Sequence, residues 1–409
     1  MAASYVTGGH TFKAGYIGGY LVEDIQNFGN DLNLAYTYLN GRPSSLTQTL
    51  RVYTQSDRVR YDALYGQDQW TMGKITLQGA LRYDHAWSFS PEQTIGPTNF
   101  LNSTLSFPRT DGVNYKDISP RGGVAWDILG NGRTAVKVNV GKYEDPASNL
   151  NNNYSISNPI ARIATTTTRT WTDTNNNNVP DCNLNTQAAN GECLAGNQQA
   201  FGTATPITAA IDHNLLNGWG IRPNDWQIGA SVQQQLGSRI SVEVGYFRRW
   251  LGNFTATDNL LVTPADFTKF SIAAPSDPRL PGGGGYAVND LYNVVQAKFG
   301  QTSNVITDAA NYGDQYQKYN GMLVNFSARN MKGLTLQGGV NTGKTVQDNC
   351  AVRAQLPELN ITAAGVSPAV GVGNPYCHSD PGFITKMTAL GSYTIPKIEV
   401  LISGTFRSD

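Results

Sequence analysis

Nine residues, Asp173-Thr-Asn175-Asn-Asn177-Asn-Val179-Pro-Asp181, place oxygen donors at alternate positions. That spacing matches the first part of a calcium loop, where positions one, three, five, seven and nine supply ligands. Asp173, Asn175, Asn177 and Asp181 would bind through side chains, Val179 through its carbonyl, and Glu192 as a bidentate closer. Two departures are visible: Asn178 stands where such loops usually have Gly, and position twelve is Leu184. Most of these ligands are neutral, so the expected affinity is that of a weak extracellular module. The competing reading is an Asn-rich turn whose side chains bond their own backbone.

The four cysteines fall as Cys182 with Cys193 and Cys350 with Cys377. Four cysteines allow three pairings. The local one keeps each bridge within a single long loop, in the oxidising surroundings of a cell surface. Zinc is the rival, through His378 beside Cys377, but there is no CxxC, and His10, His85 and His213 are scattered. Two disulfides are expected. The run Pro281 to Gly285 lacks both the Lys-Ser/Thr ending and the helix of a phosphate loop. No Ser-His-Asp set or carboxylate pair emerges, so no enzyme is expected and no cofactor is required beyond a possible structural calcium ion. Glu144 and Asp145 read as solvated residues at the base of a loop.

The elements that must hold these loops alternate with period two. ITLQGALRYD (75–84), TAVKVNVGKYE (134–144), ISVEVGYFRRW (240–250), LTLQGGVNTGK (334–344) and IEVLISGTFR (398–407) each run for about eight to ten residues, the length of a tilted membrane-crossing strand. Val136, Val138 and Val140 share one face, and Lys137, Asn139 and Tyr143 the other. Arg82, Asp84, Lys137, Asn139, Glu243 and Arg249 are therefore the candidates for the wall of a wet interior. A partner strand precedes each run, joined by the short connections 72–74, 129–133, 236–239, 331–333 and 395–397, which suit tight hairpins. Connections at the other end are long: 85–118, 145–225, 251–316 and 345–381. Short turns at one end and long loops at the other are the asymmetry of an outer-membrane barrel. With three earlier candidates at 12–24, 31–39 and 45–54, about thirteen strands are expected. Trp70, Trp87, Trp126, Trp226 and Trp250 lie near strand ends, where interfacial girdles form.

Composition agrees. The 43 Gly and 20 Tyr, with many Asn and Thr, suit strands, turns and polar loops. Thirty basic and 30 acidic residues balance, which removes the electrostatic reason to expect nucleic acid as a partner. No uninterrupted apolar stretch of about 18 residues is present for a spanning helix. The start, MAASYVTGGHTFKAG, lacks the regions of a secretory signal. IEVLISGTFRSD ends while a strand pattern is still running, so both ends read as cuts through a longer chain.

YGQDQWTMGKITLQGALRYD (65–84) resembles the recurrent barrel hairpin of TonB-dependent outer-membrane receptors. SPRGGVAWDILGNGRTAVKVNVGKYED and RTWTDTNNNNVPDC followed by NGEC are similar to a hairpin and a loop of their Oar-like branch. The resemblance implies an all-β fold, part of a transmembrane antiparallel barrel of about 22 strands, in the outer membrane of a Gram-negative bacterium. It also implies a plug domain through which TonB delivers energy, although no segment here resembles the plug or the C-terminal strand. Residues 1–409 would then be a partial barrel domain with extracellular loops at 145–225, 251–316 and 345–381, the first carrying the calcium candidate and a disulfide. Its implied partners are outer-membrane lipid, TonB and a large nutrient: an iron chelate, an oligosaccharide or a peptide. The alternatives are a non-transporting surface or adhesion protein that binds through its loops, and a soluble carbohydrate-binding protein.

Overall fold

The structure, a computed structural model, describes residues 1–147, 158–205, 209–360 and 377–408. Among them, twelve strands follow one another in a single antiparallel path, each paired with the next. They are β1 (Ala2–Thr7), β2 (His10–Asn27), β3 (Tyr53–Met72), β4 (Ile75–Ser90), β5 (Thr110–Asp127), β6 (Thr134–Glu144), β7 (Asn224–Leu236), β8 (Ile240–Gly252), β9 (Tyr316–Met331), β10 (Leu334–Asp348), β11 (Ile384–Ile395) and β12 (Val400–Arg407). One end carries only the short turns 8–9, 73–74, 128–133, 237–239, 332–333 and 396–399. The other carries 28–52, 91–109, 145–223, 253–315 and 349–383. In the tight turn at 73–74, Gly73 takes φ of 55°, a conformation that costs glycine nothing and other residues more.

Three expectations change. The 12–24 candidate is the middle of β2, but 31–39 does not join the main sheet, and of 45–54 only the last two residues do, at the start of β3. Their residues form Leu34–Leu39 and Arg42–Thr49, which pair with Thr166–Thr170 in a separate three-stranded sheet on the long-loop side. Alternation looks the same whether a strand crosses lipid or packs in a loop. The 85–118 connection is also shorter than expected, because β4 and β5 run well past the apolar rows. β1, with its turn at Gly8–Gly9, had no reading in the sequence.

The register sorts side chains into two media. Val136, Val232, Val244, Val324, Val340 and Met387 stand side by side across six strands, and from Val232 onward all are exposed. Among the described residues, no second sheet or helix covers them. On the opposite face the matching row reads Ala135, Gln233, Glu243, Asn325, Gly339 and Thr388. An uncovered apolar face of this extent is foreign to a water-soluble monomer and is what a hydrocarbon medium stabilises.

Among the described residues, the path splits between β5 and β6. β5 pairs with β6 only from Arg121–Gly141 to Ala135–Asp127. The ladder stops beside Pro120, which has no N–H to donate. Above that point the segment Asn217–Trp219 lies parallel to Asn114–Lys116 of β5.

Val138, 38% exposed on the apolar face, lies about midway up β6. Val138→Arg is expected to cost about 2–4 kcal/mol and to reduce the heat-modifiable folded fraction in outer membranes. Asn139→Arg, on the polar face, should assemble normally, and equal damage from both would contradict the face assignment.

Candidate functional site

The polar face is the wall of the site. Arg82, Asp84, Lys137, Asn139, Glu243 and Arg249 all fall on it, by the pairing register from β4 to β8. Arg82 and Asp84 bond each other at 2.7 Å, and Lys137 Nζ donates to Gln233 Oε1 at 3.2 Å. Arg249 reaches Asp225 at 2.7 Å, and Gln227 donates to the same carboxylate at 2.8 Å. The six candidates thus share a surface without converging on one point. Further along, the ring of Tyr319 lies over Gly321 and Gly343, where a Cβ would collide with it. Glycine there keeps the ring flat on the wall.

Above the wall, at the split between β5 and β6, the chain buries charge. Arg222 enters from the segment after Asn217–Trp219 and meets Asp117 at 2.9 Å, the two side chains 5% and 0% exposed. Lys142 and Glu144 pair at 2.9 Å beside them, at 15% and 5%. Glu144 is therefore no solvated loop base, contrary to its reading in the sequence, because the returning loop covers it. Arg222 and Asp117 were missed for the same reason. Their contact spans more than a hundred residues, and the only local signal was an Asp on the polar side of a strand.

The long loops are joined into one cap. In the sheet of Leu34–Leu39, Arg42–Thr49 and Thr166–Thr170, Leu46 and Trp171 are buried against Cys193. The Tyr36 and Tyr38 rings lie 5.5 and 6.1 Å from that of Trp171. A second small sheet, Ala209–Ile211 with Asn304–Asp308 and Thr255–Asn259, ties the same 145–223 loop to the 253–315 loop. Ala256 and Ala309 pack there on Val352 and Leu356, at the helix Cys350–Gln355. Tyr312 donates to Asp258 at 2.7 Å, and burial with that carboxylate pushes its phenol up to about 12. Glu358 accepts from the Asn259 backbone at 3.1 Å, while burial raises its pKa. Both expected disulfides form, Cys182–Cys193 and Cys350–Cys377, with Cα atoms 5.9 and 4.7 Å apart.

The Asn-rich loop is closed by its own hydrogen bonds. Asp181 Oδ2 accepts from the side-chain amides of Asn175 at 2.6 Å and Asn177 at 3.0 Å. Asp173 accepts from the backbone of Asn177 and Asn178, and Asn177 Oδ1 from Val179 N. Glu192 accepts from Thr174, Trp171 and Asp181, and these bonds, led by the Thr174 hydroxyl, hold its carboxyl down at about 2. The calcium candidates Asp173, Asn175, Asn177, Val179 and Asp181 are thus brought together with Glu192, in the turn arrangement. Among the described residues no group of three or more His, Cys, Asp or Glu is placed to hold a metal.

The outer membrane beta barrel domain family matches residues 2–355. Comparison with curated protein sequences gives no match. Solved structures similar to this chain include the FrpB iron transporter from Neisseria meningitidis, with 12% identity and a TM-score of 0.41 over 98% of this chain and 43% of that one. The alcaligin outer-membrane receptor FauA from Bordetella pertussis has 9% identity and a TM-score of 0.37, over 98% and 47%. The outer membrane transporter YddB from Escherichia coli has 9% and 0.39, over 99% and 57%. The chain spans about half the length of these structures, and the family match over most of its residues carries the assignment.

Arg222→Ala would leave the Asp117 carboxylate buried without its partner, at a cost of about 3–5 kcal/mol. Arg249→Ala breaks a pair whose arginine is half exposed and should cost about 0–1 kcal/mol. Denaturant midpoints of the two variants in detergent are the measurement, and equal shifts would mean that the Asp117 site is wet.

Proposed function

The chain belongs to the outer membrane beta barrel domain family and resides in the Gram-negative outer membrane; on that premise we propose that it is the wall and cap of a TonB-coupled uptake receptor of the Oar-like branch. The observation that carries this is the joining of four long loops into one cap above a polar wall. Separate loops suffice to decorate a surface. Ordering so many loop residues costs about 1–2 kcal/mol each in backbone entropy, and a fixed ligand-contacting surface is a reason to bear that cost. TonB coupling, through a plug domain, rests on the resemblance of residues 65–84 and 119–145 to barrel hairpins of that branch. The cargo class is a large nutrient: an iron chelate, an oligosaccharide or a peptide.

The test is accumulation of labelled ferric chelates, oligosaccharides and peptides by cells with and without the full-length gene product. At least one class should enter only when the protein is present, and entry should stop when TonB is deleted or a protonophore is added. Surface retention that ignores both treatments would favour the adhesion reading. In that case the hairpin Phe267–Ala273/Ala287–Val294, with Phe270 and Ile272 exposed, is the contact to examine first.

A weak structural calcium site at residues 173–181 also belongs to this proposal. Ca–O distances are about 2.3–2.6 Å, so an ion would require the Asn175 and Asn177 amides to turn away from Asp181. Millimolar calcium is expected to protect the 173–193 segment from protease. Unchanged cleavage would leave the loop as a purely hydrogen-bonded turn.

A further inference from the structure

Above its apolar rows, the outward face of the barrel changes character within one row. Lys142, Trp226, Trp250 and Lys318 share a row across β6 to β9. The row below holds Val140, Ile228, Arg248, Asn320 and Lys344. Trp226 stands ten residues before Leu236, and Trp250 ten after Ile240, the residues that flank the β7–β8 turn. Ten residues at about 3.3 Å each, tilted by about 40°, rise about 25 Å, the height of the apolar band of such a barrel. This row therefore lies level with the headgroups of the outer leaflet.

The chemistry there is specific. The Trp226 and Trp250 rings stack at 6.3 Å with planes 8° apart. The Arg248 guanidinium lies 5.8 Å from the Trp250 ring, and Lys318 Nζ 4.3 Å from that of Tyr316. Tyr246 donates to Asn320 at 2.9 Å. Other basic groups of these rows already have counter-charges: Lys142 has Glu144 and Lys344 has Asp380. Asp348, the next acid along, is taken by His378. Among the described residues, neither Arg248 nor Lys318 forms a salt bridge. The neighbouring Arg249, on the opposite face, does.

We propose that Arg248 and Lys318, flanked by the Trp226–Trp250 stack, are a docking site for the phosphorylated headgroup of an outer-leaflet glycolipid. Indoles at this level settle at the boundary between headgroup and acyl chain. Arginine matches phosphate oxygens with paired N–H groups, and lysine adds a point charge. The valine and methionine rows directly below receive the acyl chains of the same molecule. A soluble protein is a poor occupant, since the patch is flush with the bilayer.

The test uses the full-length protein, purified in neutral detergent and titrated with bisphosphorylated lipid A or its dephosphorylated form, with bound lipid read by native mass spectrometry. Wild type should prefer the phosphorylated lipid. Arg248→Gln and Lys318→Gln should each weaken it about fivefold, and the double variant roughly thirtyfold, from the usual contribution of one surface cation. Lys74→Gln, in the short turn at the opposite end of the barrel, should leave lipid binding unchanged. Heat-modifiable migration establishes that each variant is folded, and the single variants decide the matter if the double does not fold. Undiminished binding by the folded variants, equal binding of the dephosphorylated lipid, or an equal loss in Lys74→Gln would overturn the site.

Discussion

Hydrocarbon offers no partner for a backbone N–H or C=O, so every residue of a membrane-crossing strand must hand both groups to its neighbours. The rest of this molecule follows from that constraint. Strands that succeed one another in the chain become neighbours in the sheet, because a hairpin is the shortest way to keep the ladder filled. Once the ladder fixes the backbone, side chains have only two directions left. Val138 and Asn139, adjacent in sequence, consequently live in different media. The split beside Pro120 lies toward the long-loop end, where a returning segment can fill the gap.

The same constraint explains what could be read from residue order. The hairpins from β3 to β12 were visible because lipid on one side and water on the other write period two strongly over ten residues. That parity alone puts the six polar-face candidates on one side of the ladder. Leu34–Leu39 and Arg42–Thr49 misled because a small amphipathic sheet packed on Trp171 writes the same pattern. The extensions of β4 and β5 were hidden because, beyond the lipid, neither face has to be apolar. Charge burial at Asp117 and Arg222 was invisible: it depends on where a long loop returns, and nothing local encodes that.

The cap and the wall are held by different physics. The wall depends on hydrogen bonds that have no competitor in lipid. The cap stands in water, where each loop hydrogen bond exchanges with solvent for a net gain of only about 1 kcal/mol. It relies instead on small apolar clusters, around Trp171 in one place and Val352 in another, and on two disulfides. The buried Asp117–Arg222 pair fastens one to the other, joining the longest loop to a strand of the wall.

The strict alternation of tight turns and long loops carries an evolutionary consequence. Adding or losing a single strand would move every later loop to the opposite side of the membrane and strand its polar residues in the periplasm. A lineage built on this plan can change its circumference only in steps of a whole hairpin, whereas each outward connection is free to diversify. Gene duplication of one strand–turn–strand unit is therefore the natural quantum of growth for such a wall, and the outward loops can drift while the wall endures.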